Sequence, residues 1–288
     1  MADSGSTLAG RQLAGYLREA RQGLKLTLAV TAAAADLSTS VLHRLEKGTP
    51  TRLKVRDLEA LCGVLEMSKD ETAAMVGLLL KAGEKSWWHA YGDVIPANFD
   101  VFVGLESDAR RIVVYQPSIV PGLLQTPEYT RVLLENTYPE WSDEERQRLH
   151  AFRMERQRQI TRRHKPLDLL VILNEAALRC RVGGDAVMAA QLRHLAEVGK
   201  RPNVSICVLP FAVGVPLGSP ITHYAMLEFE TPASPPVVHL ETFTGSMYLE
   251  KSGEVSQYID VTRRLQRHTL GEDVSRSLLR KMVKEFEQ

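Results

Sequence analysis

GLKLTLAVTAAAADLSTSVLHRLEKG, residues 23–48, is the stretch on which the reading of this chain turns. It divides into two short helical runs that meet at a turn. Thr27 is placed to cap a helix over 28–35, and Asp36, Leu37 and Ser38 interrupt that run. Ser38 caps a second helix over 39–45, and Gly48 ends it, because glycine accepts the left-handed conformation of a helix stop. Ala32 is small where two crossing helices approach closely, and Leu42 and Leu45 point back at the first helix. Ser38, Thr39, Ser40, His43 and Arg44 then lie outward, with Lys47 at the helix end. A short polar helix on an apolar underside is a shape that a DNA major groove accepts.

At these residues the chain resembles the lambda-repressor-like (Cro/cI-type) helix-turn-helix. The pattern Ser-x-x-x-Leu-x-Arg-Leu-Glu-x-Gly that closes that motif is met by Ser38, Leu42, Arg44, Leu45, Glu46 and Gly48. The resemblance implies binding to double-stranded DNA, with Thr27, Ser38, Thr39, Ser40, His43, Arg44 and Lys47 as contact residues. Three positions depart from the pattern. Leu28 stands where a phosphate-gripping Gln is usual, Asp36 where the turn glycine is usual, and Thr31 where an apolar residue is usual. Asp enters left-handed backbone more readily than most residues, so the turn survives its change. A helical hairpin without a DNA role is the competing reading of the same spacing.

Working outward, 288 residues with 44% apolar and 25% charged composition suit two ordinary globular domains. A formal net charge of +1 means that attraction to nucleic acid must come from local patches. Cys62, Cys180 and Cys207 are far apart and without metal-type spacing, which suits a reducing cytoplasm. No apolar run approaches the ~18 residues that span a bilayer, and no export signal is evident. The expected location is cytoplasmic, on the nucleoid when bound to DNA.

Before the motif, Leu13, Leu17 and Ala20 recur at helical spacing. After it, a helix over 57–65 carries Leu58, Leu61 and Leu65 on one face. Ser68 with Glu71 makes a capping box for another, ending near Lys81. These close a five-helix, all-α first domain over residues 1–83. An α/β domain of mixed sheet plus helices is expected over 84–288. It opens on Trp87, Trp88 and Tyr91, which read either as a stacking platform for a ligand or partner or as a core plug. Residues 99–115 are expected to be helical, followed by a stiff Pro- and Gly-containing loop and a helix capped by Thr126 with Pro127 at its first position. Ser142 and Glu145 start a basic helix running to about Arg163, with Leu149, Phe152 and Ile160 turned inward. Its arginines read either as a solvated face or as a contact for DNA or an acidic partner.

Strands are expected over 167–173 and 203–209, joined by a helix over 185–198 as a parallel βαβ unit. Two more strands, 223–229 and 237–241, flank a Pro-rich turn at 231–236, and helices over 253–266 and 275–287 close the chain. Glu175, His223, His239 and Glu241 lie near strand ends, where general acid/base pairs or metal sites form in α/β proteins. No metalloprotease, nucleophile-elbow, phosphate-loop or dinucleotide motif accompanies them, so neither catalysis nor a metal or cofactor is expected.

In order along the chain, WWHAYGD, VGLESDA, VPGLLQTPEYTRVLL, ERQRQIT, NEAALR, QLRHL, PNVSICVLPF and VVHLE resemble a family of actinomycete transcriptional regulators. Those proteins join a Cro/cI-type helix-turn-helix to a toxin–antitoxin-like regulatory domain. The resemblance implies a DNA-binding regulator, often encoded beside a small partner protein. A single helix-turn-helix unit binds weakly, so a dimer on paired half-sites is expected, and the second domain is expected to bind a protein partner or a small effector. Trp87, Trp88, Tyr91, Glu175 and Glu241 are the candidate partner or ligand residues. An antitoxin-like protein that sequesters its partner and an enzyme with a DNA-targeting module are the alternatives.

Overall fold

A computed structural model describes residues 7–49, 51–83, 87–96, 99–230, 235–242 and 245–288. The chain divides into two compact units, Met1–Asp108 and Ala109–Gln288. The contact boundary therefore falls after residue 108, whereas the sequence placed the domain boundary between 83 and 84.

The first unit is all helical: α1 (Leu8–Gly23), α2 (Leu28–Ala34), α3 (Thr39–Glu46), α4 (Val55–Val64) and α5 (Lys69–Ala82), then a 3-10 turn over Trp87–Tyr91 and α6 (Phe99–Asp108). Local chemistry sets most of these ends. Thr7, Thr27 and Ser38 each accept a backbone N–H three residues on, and Ser68 and Glu71 satisfy one another's backbone in a capping box. α1, α2, α3 and α4 stop with a residue in left-handed backbone: Lys25, Asp36, Gly48 and Glu66, at φ of 55°, 53°, 68° and 57°. At each stop the next N–H reaches back five residues, as Thr49 does to Arg44 and Leu37 to Ala32. Leu13, Leu17, Ala32, Leu42, Leu45, Leu58, Leu61 and Met75 form the core of this bundle. Thr31, completely buried, satisfies its hydroxyl on the Thr27 carbonyl at 3.0 Å.

The second unit carries one six-stranded sheet. Its elements are β1 (Arg111–Gln116), α7 (Pro127–Thr137), α8 (Asp143–Arg156), α9 (Arg158–Thr161), β2 (Asp168–Asn174), α10 (Glu175–Arg179), α11 (Asp185–Val198) and β3 (Val204–Leu209). After them come β4 (Tyr224–Glu228), β5 (Val237–Thr242), β6 (Gly245–Leu249), α12 (Ser252–Gln266) and α13 (Glu272–Phe286). Strand order is β3-β2-β1-β4-β5-β6; β1, β2 and β3 run parallel, and β4, β5 and β6 add antiparallel to β1. The parallel crossover through α11 and both closing helices match the sequence reading.

Three expectations need correction. The helix expected over 99–115 stops at Asp108, and Arg111–Gln116 is a strand at the centre of the sheet. Ile112, Val113, Val114 and Tyr115 are all buried. Four consecutive apolar residues have no helical stripe, and three of them are β-branched; a central strand is the element that buries both faces at once. The basic helix ends at Arg156, short of Arg163, and a separate turn of helix follows. The break lets the Gln157 amide donate to the carbonyls of Gly122 and Gln125 at 3.0 and 2.8 Å. Finally, β6 was not anticipated at all. The expected turn at 231–236 lies mostly outside the described residues.

Val113, Leu170, Met226 and Val238 share one face of the sheet and pack against Val255 and Leu265 of α12. On the other side α11 packs against α7 and α13. The β3 edge is closed at Val208, whose N–H donates to Ser275 Oγ and whose carbonyl accepts from Leu270. The loop after β1 is held from inside by Gln191 of α11. Its Oε1 accepts from Thr126 N–H at 2.7 Å and its Nε2 donates to the Leu124 carbonyl at 2.7 Å. Gln191→Leu leaves both backbone groups buried without partners and should cost about 2–4 kcal/mol. Urea denaturation checks this, and a loss within error of zero would mean that the loop is held by packing alone.

Candidate nucleic-acid interface

α2 and α3 are positioned from below. Leu42 is fully buried, and Leu45 and Ala32 are nearly so, which turns the opposite face of α3 outward. Thr39, Ser40, His43, Arg44 and Lys47 are all exposed, and their helical spacing brings them onto one face. Thr27 and Ser38 stand at the starts of the two helices. Each side-chain oxygen accepts a backbone N–H, at 3.3 Å from Val30 and 3.2 Å from Val41. A hydroxyl that accepts in this way keeps its own proton to donate outward to a phosphate oxygen. All seven residues singled out from the sequence thus lie on α3, its cap or the cap of α2.

What the sequence did not reveal is how α3 is held. Glu46, its last residue, is 5% exposed and makes a two-pronged ion pair with Arg21 of α1. Arg21 Nε donates to Glu46 Oε1 at 2.6 Å and Nη2 to Oε2 at 2.8 Å, while Nη1 caps the Leu26 carbonyl at 2.7 Å. The hydrogen bond to Glu46 lifts the guanidinium pKa above its ordinary value, against the opposing pull of burial. The motif contains Glu46, but its partner lies 25 residues away on another helix. Only the proximity of Arg21 to the motif could have hinted at it.

The other candidates separate. Trp88 is buried and Trp87 is 36% exposed; Trp87 meets Trp88 and Tyr91 edge-on, with ring centroids 5.9 and 6.3 Å apart. Glu175 starts α10, where it pairs with Arg179 at 2.7 Å and accepts Phe211 N–H at 2.9 Å, joining the ends of β2 and β3. Glu241 is elsewhere, on β5, separated from β2 by β1 and β4. His223 and His239 lie beside Glu241: the register that pairs Ala225 with His239 places all three on one face, and His223 Nε2 is 3.8 Å from Glu241 Oε2. His239 is buried, and its pKa is lowered to about 4, first by burial and then by the charges of His223 and Arg156. Among the described residues no group of three or more His, Cys, Asp or Glu side chains could hold a metal ion. Nor is any described helix long and apolar enough to cross a membrane.

Residues 12–75 match the family model described as "Helix-turn-helix domain", and residues 99–281 match that described as "Domain of unknown function (DUF5753)". No curated protein and no solved structure matches the chain.

Two outcomes follow from this geometry. Glu46→Ala leaves the part-buried Arg21 without its counter-charge and should lower stability by about 1.5–3 kcal/mol in chemical denaturation. A surface-like loss under about 1 kcal/mol would mean that the pair is not a structural tie. The second outcome concerns pH. In the unfolded chain the His239 imidazole protonates near its ordinary 6.5, but in the folded protein only near 4. Between those values the unfolded state binds more protons, so this stability is fully present above 6.5 and is lost as pH falls toward 4. The loss should be on the order of 3 kcal/mol. His239→Asn should flatten the pH dependence of the urea midpoint in that window, and an unchanged slope would refute the assignment.

Proposed function

The chain belongs to the DUF5753 family, with a helix-turn-helix domain ahead of that family's own domain, and from this premise we propose that it is a sequence-specific transcriptional regulator of the Cro/cI type. The observation that carries the proposal is the outward face of α3, where Thr39, Ser40, His43, Arg44 and Lys47 are gathered on a buried apolar underside. In this reading α3 enters the major groove. Ser40, His43 and Arg44 read base edges, while Thr27, Ser38, Thr39 and Lys47 hold the phosphates on either side. One such helix makes few contacts, so the protein acts as a homodimer on two half-sites one or more helical turns apart.

The second unit supplies the regulatory response, as in the toxin–antitoxin-like actinomycete regulators that the sequence resembles. It binds an effector or a small protein partner and performs no catalysis. Glu175 supports this division, because its carboxylate is already engaged by Arg179 and the Phe211 backbone. The protein works in the cytoplasm, on the nucleoid.

Arg44→Ala should cost about 1–3 kcal/mol of specific binding and relax preference at one base position. Lys47→Ala should weaken all sequences alike and flatten the dependence of affinity on salt. Gel shifts at two salt concentrations, with selected and random duplexes, test both. Wild-type affinity in the two variants would remove α3 from the groove.

A further inference from the structure

The second unit holds a cavity of about 610 Å³ that involves neither the DNA-binding surface nor the residues singled out for a partner. It opens between α12 and the sheet. On the helix side Ile259, Thr262, Arg263 and Gln266 line it; spaced three and four apart, they form one stripe of α12. On the sheet side the strand registers set two rows. Val113 of β1 stands between Leu170 of β2 and Met226 of β4, and these three make an apolar floor. Two residues back along β1, and so on the same face, Arg111 stands between Asp168 and Glu228. Small-molecule sites are recesses of about 300–1,000 Å³, mostly apolar with a few placed polar groups, and this cavity has both parts.

Charge decides what the recess can receive. Arg111 Nε is 3.4 Å from Asp168 Oδ2, and Nη1 is 3.8 Å from Glu228 Oε2. Both are loose ion pairs, and among the described residues the guanidinium has no hydrogen-bond partner. Arg111 is thus answered twice in charge while its donors stay open. The other ions of the lining are answered as well. Glu230 accepts from Lys165 Nζ at 2.6 Å, and Arg263 donates to Asp260 at 3.3 Å. An entering anion would face Asp168 and Glu228, and an entering cation would face Arg111 and Arg263. A neutral carbonyl oxygen meets neither repulsion and takes a hydrogen bond that Arg111 does not otherwise make.

We propose that this cavity is the effector site of the second unit, and that its ligand is a small uncharged molecule with an apolar body and a carbonyl group of the amide, ester or ketone kind. The body lies on Val113, Leu170 and Met226 beside Ile259, and the carbonyl oxygen accepts from the Arg111 guanidinium. Burial of the apolar body supplies most of the affinity, and the hydrogen bond to Arg111 selects the head group. The proposal rests on the reading of the second unit as the effector-binding half of the protein and names the chemistry of that effector.

The test uses the full chain without DNA and three probes that share one body: hexanamide, hexanoate and hexylammonium. The eight methionines are isotopically labelled in the methyl group for NMR, and Met226→Leu identifies the Met226 signal on the cavity floor. Hexanamide should shift that signal saturably, with a midpoint in the millimolar range that so small a ligand allows. Hexanoate and hexylammonium should bind about five-fold more weakly, or worse. Arg111→Met keeps the stem, removes the donors and leaves Asp168 and Glu228 unopposed. In that variant hexanamide should weaken by about five-fold, and hexylammonium should become the tightest of the three. Ile259→Trp fills the recess and should abolish all three responses, whereas the surface variant Arg131→Gln should change none. No saturable shift with any probe, equal affinity for all three, or a preference for either ion in the wild-type chain would overturn the proposal. So would wild-type hexanamide affinity in Arg111→Met or in Ile259→Trp. A saturable shift at other methionines of the second unit, with none at Met226, would keep the effector reading and overturn this site. Arg44→Ala should leave the Met226 response intact, so a failure of operator binding bears on the DNA-binding reading alone.

Discussion

The Arg21–Glu46 pair is the constraint on which the first unit's surface chemistry depends. Exposed ion pairs contribute little, since water screens them and long side chains resist ordering. This pair is different because Glu46 is 5% exposed and both carboxylate oxygens are engaged. Removing either partner would strand the other in a dry place. Arg21 also closes its own turn through the Leu26 carbonyl, so one guanidinium ties the end of α1, the approach to α2 and the end of α3. The outward face of α3 can therefore be made wholly of polar residues, with Leu42 and Leu45 beneath and Glu46 at its end holding it in place.

In the second unit the corresponding constraint is β1. It pairs parallel with β2 and antiparallel with β4, so the parallel βαβ half and the antiparallel half of the sheet meet on it. Its first residue, Arg111, lies between Asp168 and Glu228 across the two registers, at 3.4 and 3.8 Å. Its last residues lead into the loop that Gln191, Gln125 and Gln157 hold by side-chain amides. Three glutamines replace regular secondary structure there, each supplying the donors or acceptors that the loop backbone lacks.

With a net charge of +1, the protein carries no global field to attract DNA, and several of its arginines, among them Arg131, Arg158, Arg263 and Arg276, pair with an acid three or four residues away. On the outward face of α3, Arg44 and Lys47 are exposed, and neither has an acid beside it on that face.

The sequence by itself determined whatever depends on neighbours a few residues apart. The caps at Thr27, Ser38, Thr126 and Ser142, the left-handed stop at Asp36, the five-helix bundle and the parallel crossover through α11 were all legible. Each is settled within one turn of chain or by one apolar stripe. The outward set on α3 was legible for the same reason. What tertiary structure decided were the elements whose meaning lies in distant partners. RIVVYQ is ambiguous alone, because a short apolar run suits a buried helix or a buried strand until strands 168–174 and 224–228 flank it. The Arg21–Glu46 tie and the Gln191 clamp join residues 25 and more than 60 positions apart. No periodicity encodes such pairs: a charged or amide side chain reads as surface until the fold removes the water around it and dictates which group must answer.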